Sequence, residues 1–223
     1  LIELLVVIAI VGILARIAVP AFKGLGQGNT SAGANRQLQD DLGFARATAI
    51  NERATVFVVF IPGLTSQELT QHRSKIGQIT NPDVRNRVAR RFTNAISGQF
   101  TSYAVFSRRS VGAQPGQQNP RYLTDWRTLP EGMLFNPRMF TNELVSMATR
   151  DLPLMRDNQV LFPFPSVDGP DIALPYLAFD ANGQLVRRPK LPSATAGRVA
   201  DGYVELSRGS VLLPKDAAGN YTG

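Results

Sequence analysis

The chain opens on an apolar stretch, Leu1 to Val19, interrupted only by Glu3 and Arg16. The uninterrupted run, Leu4 to Ala15, is shorter than the roughly 20 residues that cross a bilayer core. Counted from Leu1 to Phe22, with Arg16 snorkelling, the segment is just long enough to span. No basic stretch precedes it and no small-x-small cleavage site follows it, so an ordinary secretory signal peptide fits poorly. Pro20 lacks an N–H and clashes with the preceding turn, which predicts a kink. Gly24, Gly26, Gly28 and Gly33 each disfavour helix by about 1 kcal/mol relative to alanine, which predicts a weak or broken helix there. From Ala34 to Arg53 a helical period appears: Leu38, Leu42, Ala45 and Ala49 form one apolar stripe with charges opposite.

The pattern then changes. Thr55 to Ile61 is β-branched and aromatic and ends at Pro62-Gly63, which predicts a buried strand. Ser66 to Arg91 is polar, and Asn81-Pro82-Asp83 marks a helix start. Thr101 to Ser107 reads as a second strand. Trp126 to Phe135 reads as a third, interrupted by Pro130-Glu131-Gly132. The proline-rich stretch 136–170 reads as an insertion with a short helix near Thr141 to Thr149. Tyr176 to Phe179, Asp180-Ala181-Asn182-Gly183 and Gln184 to Arg187 predict a hairpin with Asn-Gly at its turn. Gly202 to Leu206 and Ser210 to Leu213 predict two further short strands. The expected fold class is α+β: a long N-terminal α-helix, the stalk, packed against an antiparallel β-sheet head. Its parts are an apolar membrane or filament-core helix (1–22), an amphipathic continuation (23–53) and a β-rich head (54–223) with the insertion near 136–170. No internal repeat is found.

Composition narrows the function. The chain has 223 residues, of which 43% are hydrophobic, so disorder is not expected. It has no cysteine, which excludes disulfides, thiolate metal sites and thiol catalysis. The net charge is +7, carried mostly by arginine. Such an excess attracts anionic polymers or surfaces; the plainer alternative is an Arg-biased solvated surface.

The ordered run Leu1-Ile2-Glu3-Leu4-Leu5-Val6-Val7-Ile8-Ala9-Ile10-Val11-Gly12-Ile13-Leu14-Ala15, followed by Ile17-Ala18-Val19-Pro20, resembles the N-terminal helix of type IV pilins and pseudopilins. The resemblance implies a filament subunit, cut after a glycine by a prepilin peptidase and methylated at the new N-terminus. It implies storage in the bacterial inner membrane, then handling by a pilus or secretion assembly machinery. The final location would be an extracellular filament or a periplasmic pseudopilus. Glu3 matches the family's glutamate, whose implied role is to pair with the N-terminal amine of a neighbouring copy. In lipid such a carboxylate is unfavourable by about 2.5–3.5 kcal/mol near the bilayer centre. Gly12 and Pro20 bound the stretch that can melt on packing in resembling filaments; across Gly24 to Gly33, where the glycines favour a break, the resemblance implies a continuous helix. Arg16 stands where the family has a small or apolar residue; it either meets Glu3 of another subunit or faces outward. The family's Phe-Thr pair before Leu-Ile is missing, so the true mature N-terminus stays open. Leu42-Gly43-Phe44-Ala45-Arg46-Ala47-Thr48-Ala49-Ile50, the strand after it, and the closing Phe179, Asn182-Gly183 and Val204-Glu205-Leu206 are similar to H-type pseudopilins of type II secretion and to FimT-like minor pilins.

Catalytic chemistry finds little support. His72 is the only histidine and stands in a polar stretch, so it is expected at the surface. No Gly-x-Ser-x-Gly elbow accompanies it. One histidine without cysteine does not supply the ligand set of a zinc site. The glycines near 24–33 lack the Gly-Lys-Ser/Thr of a phosphate loop. Asp180-Ala181-Asn182-Gly183 lacks the ligand set of a calcium loop and fits a turn better. The chain is therefore read as non-enzymatic, with no cofactor and no metal.

Arginines supply the remaining candidate chemistry. Arg85, Arg87, Arg90 and Arg91 cluster; so do Arg108 with Arg109, and Arg187 and Arg188 with Lys190. Phe92, Phe106 and Tyr103 lie nearby in sequence, and arginine with aromatics suits phosphate contacts and base stacking. Some FimT-like pilins take part in DNA uptake, so the resemblance makes DNA a candidate partner. Surface charge and ion pairing between subunits rank ahead of it. The favoured expectation is a structural subunit of a type IV pilus-like filament that polymerises with itself through its N-terminal helix. The alternative is a minor pilin or H-type pseudopilin, with DNA binding as a variant of it.

Overall fold

A computed structural model describes residues 2–109, 119–140, 160–186, 204–216 and 221; within 2–29 it describes side chains at Glu3, Val7, Ile8 and Val11 only. Helix α1 covers Ile2–Glu52, so the glycine run 24–33 falls within its bounds. It is followed by strand β1 (Val56–Phe60), helices α2 (Ser66–Gly77) and α3 (Pro82–Ile96), and strands β2 (Ser102–Ser107), β3 (Arg121–Tyr122), β4 (Arg127–Thr128) and β5 (Met133–Phe135). A 3-10 turn (Pro137–Phe140), β6 (Leu161–Pro163), β7 (Asp171–Ala173), β8 (Tyr176–Phe179) and β9 (Leu206–Arg208) complete the described elements.

The central sheet has the order β3-β2-β1-β8, with β4 also on β2. Its pairs are antiparallel; Val58 stands opposite Val105 on one side and Leu177 on the other. Two small antiparallel pairs, β5–β9 and β6–β7, stand beside it. Strand β1 is buried at every position because both faces of the sheet are covered. Val56, Val58 and Phe60 pack with Tyr103, Val105 and the Ala34, Leu38, Ala45 and Ala49 stripe of α1. The alternate residues, Phe57 and Val59, pack with Phe106, Phe162 and the Leu69, Ile76, Val88 and Phe92 side of α2 and α3.

Local chemistry accounts for the two inner helices. Thr65 and Glu68 close a reciprocal capping box at the start of α2. The Asn81 side chain accepts from the N–H groups of Asp83 and Val84, with Pro82 in the first turn of α3.

The expected fold class is corrected. The described residues hold no long apolar N-terminal stalk of type IV pilin-like form. The part of α1 whose side chains are described throughout, 30–52, carries Arg36, Asp40, Asp41, Arg46 and Glu52. No helix among the described residues is long and apolar enough to cross a membrane. The physical reason is that 30–52 is a half-buried helix, with one small-residue stripe on the sheet and a polar face in water. The architecture is α+β with three helices and antiparallel sheets.

Several smaller expectations also change. Helix α2 occupies a stretch read only as polar, and His72 is buried on it, its ring 6.1 Å from Phe92. The single strand expected over Trp126 to Phe135 is two short strands in different sheets, because Gly132 (φ 81°) and Pro130 turn the chain between them. Ser210 to Leu213 forms no strand. The short helix expected near Thr141 to Thr149 lies outside the described residues.

Candidate functional site

Glu3, Val7 and Val11 follow one another at four-residue spacing on α1, with Ile8 beside them. Glu3 is exposed, and Val7, Ile8 and Val11 keep 55%, 59% and 58% of their surface in solvent. A carboxylate in the first turn of a helix is favoured by the positive end of its dipole. Gly12, Arg16 and Pro20 fall within the bounds of α1, but their surroundings lie outside the described residues.

Helix α1 is fastened to the head by polar groups as well as by its apolar stripe. Asp41, almost wholly buried, accepts a 2.6 Å hydrogen bond from Tyr103 Oη. Its other oxygen is paired with Arg127. Gln37 Nε2 donates to Tyr103 Oη (3.1 Å) and to the Thr128 carbonyl (3.2 Å). Burial, and then the bond to Asp41, push the Tyr103 hydroxyl far above the usual phenol range. At the end of the helix Glu52 pairs with Arg121 of β3.

The candidate arginines do not form one patch. Arg108 is half-buried: its guanidinium lies 5.4 Å from the Phe57 ring centre and 5.8 Å from that of Phe162, and it donates to the Leu161 carbonyl at 3.0 Å. It therefore covers the aromatic core. Arg87 pairs with Asp168 at 3.0 Å. Arg90 and Arg91 are exposed on α3, Arg85 is half-buried there, and Arg109 is exposed just after β2. Among the described residues these four have no ion-pair partner. Arg187, Arg188 and Lys190 lie outside the described residues.

A cleft of about 300 Å³ opens beside α3. Arg91, Asn94 and Ala95 of α3 form one side; Ser102 of β2, the segment from Tyr122 to Thr128 and the turn at Pro165-Ser166 form the rest. That turn follows a cis peptide bond between Phe164 and Pro165. Trp126 Nε1 donates to the Pro165 carbonyl at 2.8 Å, and Tyr122 Oη donates to the Pro163 carbonyl at 2.6 Å. Burial, and then the Asp171 charge, raise the Tyr122 hydroxyl far above the ordinary phenol range. Ser166 is only 5% exposed, and its hydroxyl has no hydrogen-bond partner among the described residues.

Sequence reasoning missed both the Asp41–Tyr103 lock and this cleft. A carboxylate one position from the apolar Leu42 was the signal for the lock. The cleft had none, because residues some 75 positions apart build it (Arg91 and Ser166). No family model, curated protein or solved structure matches this chain.

Proposed function

We propose that this chain is a non-enzymatic structural subunit of a type IV pilus-like extracellular filament, assembled through its N-terminal segment. The supporting observation is the exposed strip of Val7, Ile8 and Val11 beside the Glu3 carboxylate. A fully buried large apolar side chain gains about 1.5–3 kcal/mol over an exposed one, so such a strip favours a partner. Neighbouring copies supply it when each N-terminal segment lies against the next. Such a head-to-tail contact that does not close on itself builds a helical filament. Glu3 then pairs with the N-terminal amine of a neighbour and sets the register. The test is sedimentation of the full chain as detergent is withdrawn. Wild type is expected to pellet as polymer; a Val7→Ser/Val11→Ser variant is expected to remain in small species. Equal pelleting of both would reject the reading.

The second reading is a minor pilin or H-type pseudopilin that touches DNA. Exposed Arg90 and Arg91, neighbours on α3 without ion pairs among the described residues, favour it. Binding of this kind weakens steeply with salt, and each phosphate-contacting cation removed lowers the salt slope by about 1. A salt-insensitive interaction, or one unaltered in Arg90→Ala/Arg91→Ala, would dismiss it.

A further inference from the structure

We propose that the cleft between α3 and the Tyr122–Thr128 segment binds a small, neutral, polyhydroxylated ligand of the size of one or two sugar rings. The inference is independent of filament assembly.

The cleft's volume, about 300 Å³, lies at the lower end of the range for small-molecule sites, roughly 300–1,000 Å³. Its wall includes Trp126, the single tryptophan of the chain, in contact with Tyr122 at 5.5 Å between ring centres. Both rings have their polar tips engaged by the Pro165 and Pro163 carbonyls. They are thus held in place and offer the cleft carbon surface rather than hydrogen bonds.

The polar groups divide into used and unused. Ser102 and Thr128 bond to each other through their hydroxyls at 3.0 Å, and Thr124 Oγ1 accepts from the Val105 N–H at 3.0 Å. Ser166 Oγ, the Asn94 amide, the Asp125 carboxylate and the Arg91 guanidinium have no side-chain partner among the described residues. These four offer a hydroxyl and an amide that both donate and accept, one pure acceptor and one pure donor.

Such a set selects a ligand with several groups that are themselves both donor and acceptor. Sugar hydroxyls have that character, and a sugar ring also presents an apolar C–H face to an aromatic wall. Arg91 and Asp125 of the lining carry opposite charges and are both exposed, so neither an anion nor a cation is preferred. Ser166, whose hydroxyl is unpartnered and closed to solvent in the free protein, is the neutral buried residue of the lining. A buried hydroxyl without a partner is unfavourable, and a ligand that satisfies it is distinguished from one that does not.

Trp126 gives the test its signal. The full chain, held in a detergent without a sugar headgroup, is titrated with glucose, galactose, N-acetylglucosamine and maltose while tryptophan emission is followed. Sodium phosphate, sodium acetate and glycine serve as charged comparisons. The proposal expects a saturable change with at least one sugar and none with the charged solutes. Ser166→Ala and Asn94→Ala should each weaken binding about tenfold, the size of one well-made hydrogen bond. Asn94 is exposed on α3, so its variant reports even if the Ser166 turn tolerates no change. No saturable response to any sugar, an equal response to phosphate, or wild-type affinity in both variants would overturn the proposal.

Discussion

Tyr103 Oη donates a 2.6 Å hydrogen bond to Asp41 Oδ2, joining a buried carboxylate on the first helix to the second strand of the sheet across 62 positions of sequence. Asp41 sits in the same stripe as Leu38 and Ala45, where an apolar residue would be ordinary. It is accepted there because Arg127 and Tyr103 satisfy it from two sides. Hydrogen bonds to charged groups contribute about 1.5–3 kcal/mol, so Tyr103→Phe should lower unfolding stability by about that much. Asp41→Ala should do the same or more, since it removes the Arg127 pair and leaves the buried Tyr103 hydroxyl without its carboxylate acceptor. In a double-mutant cycle read by urea denaturation, the pair should couple by more than about 0.5 kcal/mol. Additive effects would contradict the lock.

The raised tyrosine hydroxyls fix the sign of a pH dependence. Tyr103 and Tyr122 both keep their protons in the folded chain beyond the ordinary phenol value near 10. The stability they contribute is complete below that value and is lost as pH rises above it, because the unfolded chain gives up its protons first. Each contributes a fall that starts near pH 10 and steepens toward about 1.4 kcal/mol per pH unit as the unfolded phenol becomes fully ionised. Urea unfolding between about pH 10 and 11 should therefore show a steep decline, and Tyr122→Phe should remove roughly half of these tyrosines' share. An unchanged slope in the variant would contradict the burial of that hydroxyl.

Gly183 closes the turn after β8 with φ 73°, and a Cβ there would stand 2.7 Å from Ile50 Cδ1. The turn is tightened by Asp180 Oδ1, which accepts from the N–H groups of Asn182 and Gln184 at 2.9 Å. Gly183→Ala should lose about 1–2 kcal/mol, through the left-handed backbone and the crowding of α1. Thermal unfolding reads this directly, and a variant as stable as wild type would show that the turn is free to move.

The unpartnered hydroxyl of Ser166 has an effect without any ligand. Removing a buried group that makes no bond should leave the free protein as stable as before or more so, by up to about 1–3 kcal/mol. A melting temperature for Ser166→Ala clearly below wild type would mean that the hydroxyl is satisfied in the folded protein.

Much of the head was legible wherever a local signal and a tertiary demand agreed. The apolar runs of β1 and β2 are buried on both faces, and Asn81-Pro82 and Asn182-Gly183 impose their own backbone geometry. Helix α2 carries a faint apolar period, because its inner face is only Leu69, His72 and Ile76 and histidine is a polar residue type; the Thr65–Glu68 capping box is its one clear local signal. The apolar run of 4–15 points to a stalk, whereas the charges of 30–52 belong to a helix lying on a sheet. The arginine clusters were grouped by sequence distance alone. Arg108 turns inward to aromatic rings and Arg87 to Asp168, which no spacing rule reveals.

The central claim, assembly through the N-terminal strip, is tested most directly by electron microscopy of filaments sheared from cells that carry wild-type protein or Glu3→Ala. The account predicts long filaments containing this chain in wild type, and sparse or absent ones in the variant. Normal filaments from which this chain is missing, or filaments indifferent to Glu3, would contradict it.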